Sequence, residues 1–226
     1  KERPILISWK GDVARILIRE FSGDRFTSIW QESLPDLKNA SAWVIDLRGN
    51  PGGRRDLVFT VASSLLEQDT AIGEVQTRRG RQAETVPGSG LECYRGPVAV
   101  LIDELSGSSS EVLAGGLQSI GRVTVLGQTS IGAVLPSTTI PLASGAELQC
   151  AVALLRTAKG EVLEGRGVIP DRELVRTVQA LREDRDEVLE AALVLLGKST
   201  QGGADRGPNA QCLLGLGGTA TVDAKL

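Results

Sequence analysis

The chain has 226 residues with 25 Lys+Arg against 28 Asp+Glu, 41% hydrophobic and 3% aromatic residues, and no histidine. That length and balance describe a globular protein able to bury a sizeable core, and no apolar run approaches the roughly 18 residues a membrane span needs. Near-neutral charge with few stacking rings argues against a nucleic-acid partner. Zero histidines exclude a Ser-His-Asp triad or a His-bearing metal site completed within this chain. Cys93, Cys150 and Cys212 are too scattered for a zinc cluster and define no closed disulfide framework, so no metal and no cofactor are expected. The opening Lys-Glu-Arg-Pro, in a chain without methionine, reads as a processed or excised portion of something longer.

Along the chain, strands alternate with helices. Val13 to Arg19 reads as a buried strand and Asp24 to Asn39 as a helix capped by Asp24 and interrupted or cut short by Pro35. Ala42 to Arg48 is a strand running into RGNPGG, and Asp56 to Gln68 has helical spacing. Ala71 to Thr77 is a strand, and Arg78 to Arg95 an exposed polar loop. The apolar strand Pro97 to Asp103 leads through a serine-rich loop to a helix over Glu111 to Ile120, and the strand Arg122 to Leu126 leads to GQTSIGAVLPS. Beyond Ser137 the pattern turns antiparallel: STTIPL, a turn at Ala143 to Gly145, the single strand AELQCAVALLRTA, and a turn at Lys159-Gly160. A short helix, Asp184 to Leu196, closes a core of residues 1–196, and residues 197–226 read as a glycine-rich mobile tail in which QCLLGL is a possible docking strand. Repeated β-then-α units predict an α/β domain whose site gathers at strand C-terminal ends.

Three loops are candidates for that site. Arg48 to Gly53 is either a tight turn or a place where backbone N–H groups enter a cavity. Ser106 to Glu111 (SGSSSE) stands at a strand-to-helix elbow, where a serine is either a nucleophile beside orphan N–H donors or a helix cap completed by Glu111. Gly127 to Ser137 alone reads only as a connector. No Gly-Lys-Ser/Thr follows any of the three, so a phosphate cradle is disfavoured.

Taken together, DLRGNPGG (Asp46 to Gly53), SGSSSE, TSIGAVLPS (Thr129 to Ser137) and EGRGVIPD (Glu164 to Asp171) resemble, in order and spacing, the carboxyl-terminal processing (tail-specific) serine peptidase family, over about residues 13 to 172. The resemblance implies a ββα-spiral of the ClpP/crotonase type, Ser108 as nucleophile, the N–H groups of Gly53 and Ser109 as oxyanion donors, and a peptide or protein substrate added as a strand to an exposed edge. Ala133 stands where the family's usual base is a lysine, and Ser137 where a glutamine supports that lysine. Lys159 reads as solvated surface rather than a relocated base. The sequence is similar in this to a branch that includes the tricorn core and the interphotoreceptor retinoid-binding protein. That branch implies a histidine from an upstream segment or domain as base and Glu164 as its orienting carboxylate, a surface glutamate being the other reading. The resemblance thus implies a serine endopeptidase whose base lies outside this chain, or else a binding protein on a retired peptidase fold. It also implies an extracytoplasmic location.

Overall fold

A computed structural model describes residues 3–197 and 205–206. The chain opens with an antiparallel pair, β1 (Ile5–Lys10) and β2 (Val13–Ile18), turning at Gly11 with φ +62°. Next come α1 (Phe26–Lys38), β3 (Ala42–Asp46), α2 (Arg55–Ser63), and the pair β4 (Thr70–Thr77) and β5 (Gly80–Val86). A 3₁₀ turn at Gly90–Glu92 precedes β6 (Val98–Ile102), α3 (Ser109–Ser119) and β7 (Thr124–Gly127). The hairpin β8 (Ser137–Pro141) and β9 (Glu147–Ala151), then β10 (Leu154–Thr157), β11 (Arg172–Glu173), α4 (Val178–Arg182), α5 (Glu187–Leu195) and β12 (Asp205–Arg206) complete it.

The main sheet has the order β11-β7-β6-β3-β2-β1-β12, with β2, β3, β6, β7 and β11 parallel. This is the mixed α/β arrangement expected from the alternating pattern. Its central strands β3 and β6 are buried at every position because both faces are covered, and all their residues are apolar except Asp46 at the end of β3. Trp43 and Ile45 of β3, with Val98, Val100 and Ile102 of β6, join the core under α1, α2 and α3. Ala42, Val44, Ala99 and Leu101, one residue out of phase, meet Val188, Leu189, Ala192 and Leu193 of α5 on the opposite face. A smaller sheet, β10-β4-β5, lies beside α3.

Several local expectations are corrected. Residues 80–86 are not loop but β5, whose side chains are mostly exposed, so its apolar signal is absent. Asp24 does not cap α1; Arg25 holds that position, and Pro35 sits inside the helix, which continues to Lys38. The segment read as one long strand is two: β9 pairs with β8, while β10 leaves for the smaller sheet. The helix from Asp56 ends at Ser63, and α4 precedes the closing helix. QCLLGL lies outside the described residues; within the segment read as a tail, Asp205 and Arg206 pair with Lys10 and Trp9 at the β1 edge.

Candidate active site

The loops after β3, β6 and β7 leave three adjacent parallel strands at the same end of the sheet, so the topology alone brings them together. Asn50, fully buried, ties the first loop in place. Its side-chain nitrogen donates to the Ile18 carbonyl at 2.9 Å and its side-chain oxygen accepts the Gly52 N–H at 2.8 Å. Its own carbonyl accepts from the Gly107 N–H (2.9 Å) and from the Ser110 hydroxyl (3.0 Å), joining the first loop to the second. Gly52, at φ +111°, lies so close to the serine turn that a Cβ there would stand 2.6 Å from Ser108 Cβ and 2.9 Å from the Ser109 nitrogen.

The SGSSSE serines divide sharply. Ser106 donates its hydroxyl to the Leu47 carbonyl at 2.9 Å, Ser109 to the Gly53 carbonyl at 2.7 Å, and Ser110 to the Asn50 carbonyl. All three are buried. Ser108 is half-buried and holds φ 51°, ψ −115°, a conformation that costs a non-glycine residue about 1–3 kcal/mol. It is the N-cap of α3, with Glu111 completing a capping box. The capping and nucleophile readings are therefore compatible in one residue. Ser109 is the first helical residue, whose N–H points out of the helix end. Among the described residues, neither the Gly53 nor the Ser109 amide donates to another protein group.

Glu111 is 1% exposed and its carboxylate accepts four hydrogen bonds. Oε1 accepts from Ser130 Oγ (2.6 Å) and the Gly132 N–H (2.8 Å); Oε2 accepts from the Ser108 N–H (2.9 Å) and the Ala133 N–H (3.0 Å). Four donors fill a carboxylate's lone-pair sites, so Glu111 has no acceptor site left for the Ser108 hydroxyl. Glu164 is half-buried, and its Oε2 accepts from the N–H groups of Val134 (2.7 Å) and Leu135 (3.1 Å). It is thus neither a loose surface residue nor hydrogen-bonded to Ser108, but a support for the third loop.

Ala133 is exposed, and its carbonyl accepts from the Ser108 N–H at 3.1 Å, so the position of the family lysine is bonded to the serine turn through its backbone and carries only a methyl group. Ser137 has left the site: it starts β8 and accepts from Gln149 Nε2 at 2.6 Å. Lys159 lines a cavity of about 310 Å³ with Gly115, Gln118 and Ser119. From Ser108 to Gln118, ten residues at about 1.5 Å each, is roughly 15 Å along the helix. Lys159 is therefore no base for Ser108.

The Asp-Leu-Arg run before the first loop is structural. Asp46, 1% exposed, accepts from Arg15 Nη2 (2.6 Å) and Arg48 Nη2 (2.7 Å), and Arg48 reaches on to Asp186, the N-cap of α5. Burial pushes the Asp46 carboxyl up, but the hydrogen bonds and charges of Arg48 and Arg15 outweigh it and hold the group below the usual carboxylate range. Among the described residues, no group of three or more His, Cys, Asp or Glu is set to hold a metal ion.

The model of peptidase family S41 matches residues 12–174. The chain belongs to peptidase family S41. A carboxy-terminal-processing protease from Bartonella bacilliformis is 31% identical over 72% of this chain and 38% of its own length. The chain thus spans well under half of that relative's length. Among solved structures, the photosystem II D1 C-terminal processing protease superposes with a TM-score of 0.67 at 21% identity, covering 77% of this chain and 49% of its own. Tricorn protease does so at 0.58 and 20%, covering 82% of this chain and 18% of its own. At those identities the two structures show a shared fold alone.

Sequence reasoning passed over Asn50 and assigned Glu111 only a capping role. The glutamate three residues after Ser108 was visible, but its three donors from residues 130–133 are non-local and left no spacing signal.

Proposed function

We propose that this chain carries the nucleophile and oxyanion hole of a serine endopeptidase on a ββα-spiral of the ClpP/crotonase type. One observation carries the reading. Of the serines at this helix start, Ser108 alone is kept partly accessible, in a strained backbone, beside two amides that spend their N–H groups on no other partner. Strain of this kind persists only where its surroundings over-determine it, and Asn50, Gly52 and Glu111 do so here.

In the proposed reaction Ser108 Oγ attacks the scissile carbonyl of a peptide or protein substrate. The carbonyl oxygen gains the negative charge and is received by the Gly53 and Ser109 N–H groups, each such donor being worth about 3 kcal/mol. The serine proton passes to a base supplied outside this chain, which we assign to a histidine of an upstream segment. Glu164, with Oε2 on the third loop, offers Oε1 to orient that imidazole. Collapse of the tetrahedral species transfers the proton to the leaving amine and leaves an acyl-serine that water hydrolyses. General-base assistance is commonly worth about 100- to 10,000-fold, so this chain by itself is expected to be slow. The same family reading carries the proposal of an extracytoplasmic location; among the described residues no helix is long and apolar enough to cross a membrane.

The absence of histidine and the methyl group at position 133 favour a second reading, a peptide- or apolar-ligand-binding protein that no longer cuts. A fluorophosphonate probe applied to the full-length protein separates the two. Labelling that disappears in Ser108→Ala is the expected result. Unlabelled full-length protein selects the binder.

A further inference from the structure

We propose that Glu111 is a positioning residue, whose buried carboxylate fastens the strained serine turn to the third loop so that the order of residues 130–133 sets the geometry of Ser108. The proposal rests on the peptidase reading for its catalytic consequence, while the mechanical coupling stands on the hydrogen bonds themselves.

A capping box needs only Ser108 and Glu111. Here three further donors converge on the same carboxylate: the Ser130 hydroxyl and the N–H groups of Gly132 and Ala133, all from the loop after β7. The connection is closed from the other side, because the Ala133 carbonyl accepts from the Ser108 N–H, which is therefore shared between the third loop and Glu111. The third loop in turn has nowhere to slide. Val134 and Leu135 donate to Glu164, and Ser130 exchanges hydrogen bonds with Val168, its hydroxyl accepting that residue's N–H at 2.7 Å. Gly132, at φ +74°, fits so closely under the following turn that a Cβ would lie 2.8 Å from the Gly167 nitrogen. Among the described residues no cation pairs with Glu111. Its charge is balanced by these four donors and by the N-terminus of α3, and losing any donor is felt by the others.

Glu111→Gln is the informative substitution because size and shape are kept. One carboxylate oxygen becomes an NH₂ group. On the Oε1 side that group faces the Gly132 N–H, and on the Oε2 side the N–H groups of Ser108 and Ala133, so neither amide orientation is free of a donor against a donor. Ser130→Ala is the second variant. Ser130 makes no hydrogen bond to Ser108; its hydroxyl reaches that residue through Glu111, beside the backbone routes from the Ala133 carbonyl to the Ser108 N–H and from the Ile131 N–H to the Ser106 carbonyl (each 3.1 Å).

The test combines hydrogen exchange with kinetics on the full-length protein. Expected are faster exchange in both segments, residues 105–112 and 129–136, in either variant, and a kcat lowered about 100-fold in Glu111→Gln with KM little changed, the usual penalty for a misplacement near 1 Å. Ser130→Ala is expected to act in the same direction, more weakly, and to slow kcat by a smaller factor in the Glu111→Gln background than in the unsubstituted protein, the signature of a shared connection. Exchange at 105–112 that stays at its unsubstituted rate while 129–136 loosens overturns the proposal, as does a fall in kcat that merely tracks the fraction unfolded. An unsubstituted protein that neither cleaves nor labels overturns the peptidase reading instead, and the exchange result alone then decides the coupling.

Discussion

Gly52→Ala perturbs the proposed site most directly. A methyl group there would lie 2.6 Å from Ser108 Cβ, 2.8 Å from the Gly107 carbonyl oxygen and 2.9 Å from the Ser109 nitrogen, two of the three being backbone atoms that cannot rotate away. The φ of +111° adds the cost of a region reserved for glycine, about 1–3 kcal/mol, and overpacking of this kind adds about 1–3 kcal/mol more. A destabilisation of about 2–6 kcal/mol is expected by urea unfolding. Because the relief is a shift of the turn bearing Ser108, phosphonate labelling of the folded fraction should fall about 100-fold. Gly49→Ala is the control, in the same loop at φ +70° with nothing within 4 Å of its new Cβ. It should cost about 1–2 kcal/mol and leave labelling intact. Gly52→Ala labelled at the unsubstituted rate would refute the placement of Ser108 against the first loop.

Further outcomes follow from the same contacts. Asn50→Ala strips the Gly52 N–H and the Ile18 carbonyl of their buried partner and should cost about 2–4 kcal/mol by urea unfolding, with a parallel loss of labelling. Asp46 and Asp186 are both held below their ordinary range, so the folded state binds fewer protons than the unfolded chain. Their contribution is complete above the unfolded value of about 4 and is lost as pH falls through the lower folded values. Asp46→Asn should therefore flatten the acid arm of a urea-midpoint profile below about pH 4 while lowering stability at pH 7. The single tyrosine, Tyr94, is pushed up to about 12 by burial, which with the Asp12 charge outweighs the opposing Arg122. It stacks on Trp43 at 4.2 Å. Tyrosinate absorbance in the folded protein should be absent at pH 10.5 and appear there on unfolding.

The three loops were legible because each leaves a short apolar strand abruptly, at glycine, proline or serine, and because parallel neighbours must place them side by side. A serine at the start of α3 was legible in the same way, whereas the choice of Ser108 among the serines of that loop came from the family resemblance. What resisted reading was non-local. Glu164 was read from the resemblance as an orienting carboxylate or else as a surface glutamate, and its hold on the third loop went unseen because its partners are amides 29 and 30 residues earlier. Strand β5 was hidden because Glu84, its buried charged residue, is paired with Arg55 of α2, a contact no alternation of apolar residues announces. Pro35 misled because proline ends helices by removing a donor; here α1 runs on to Lys38, with the Asn39 side chain donating to the Pro35 carbonyl at 3.0 Å.

A crystal structure of the full-length protein bearing a phosphonate adduct is the most direct examination of the central assignment. Phosphorus is expected on Ser108 Oγ, with one phosphonyl oxygen about 2.7–3.1 Å from both the Gly53 and Ser109 nitrogens. An adduct on Ser106, Ser109 or Ser110, or an oxygen turned away from those two amides, would contradict it.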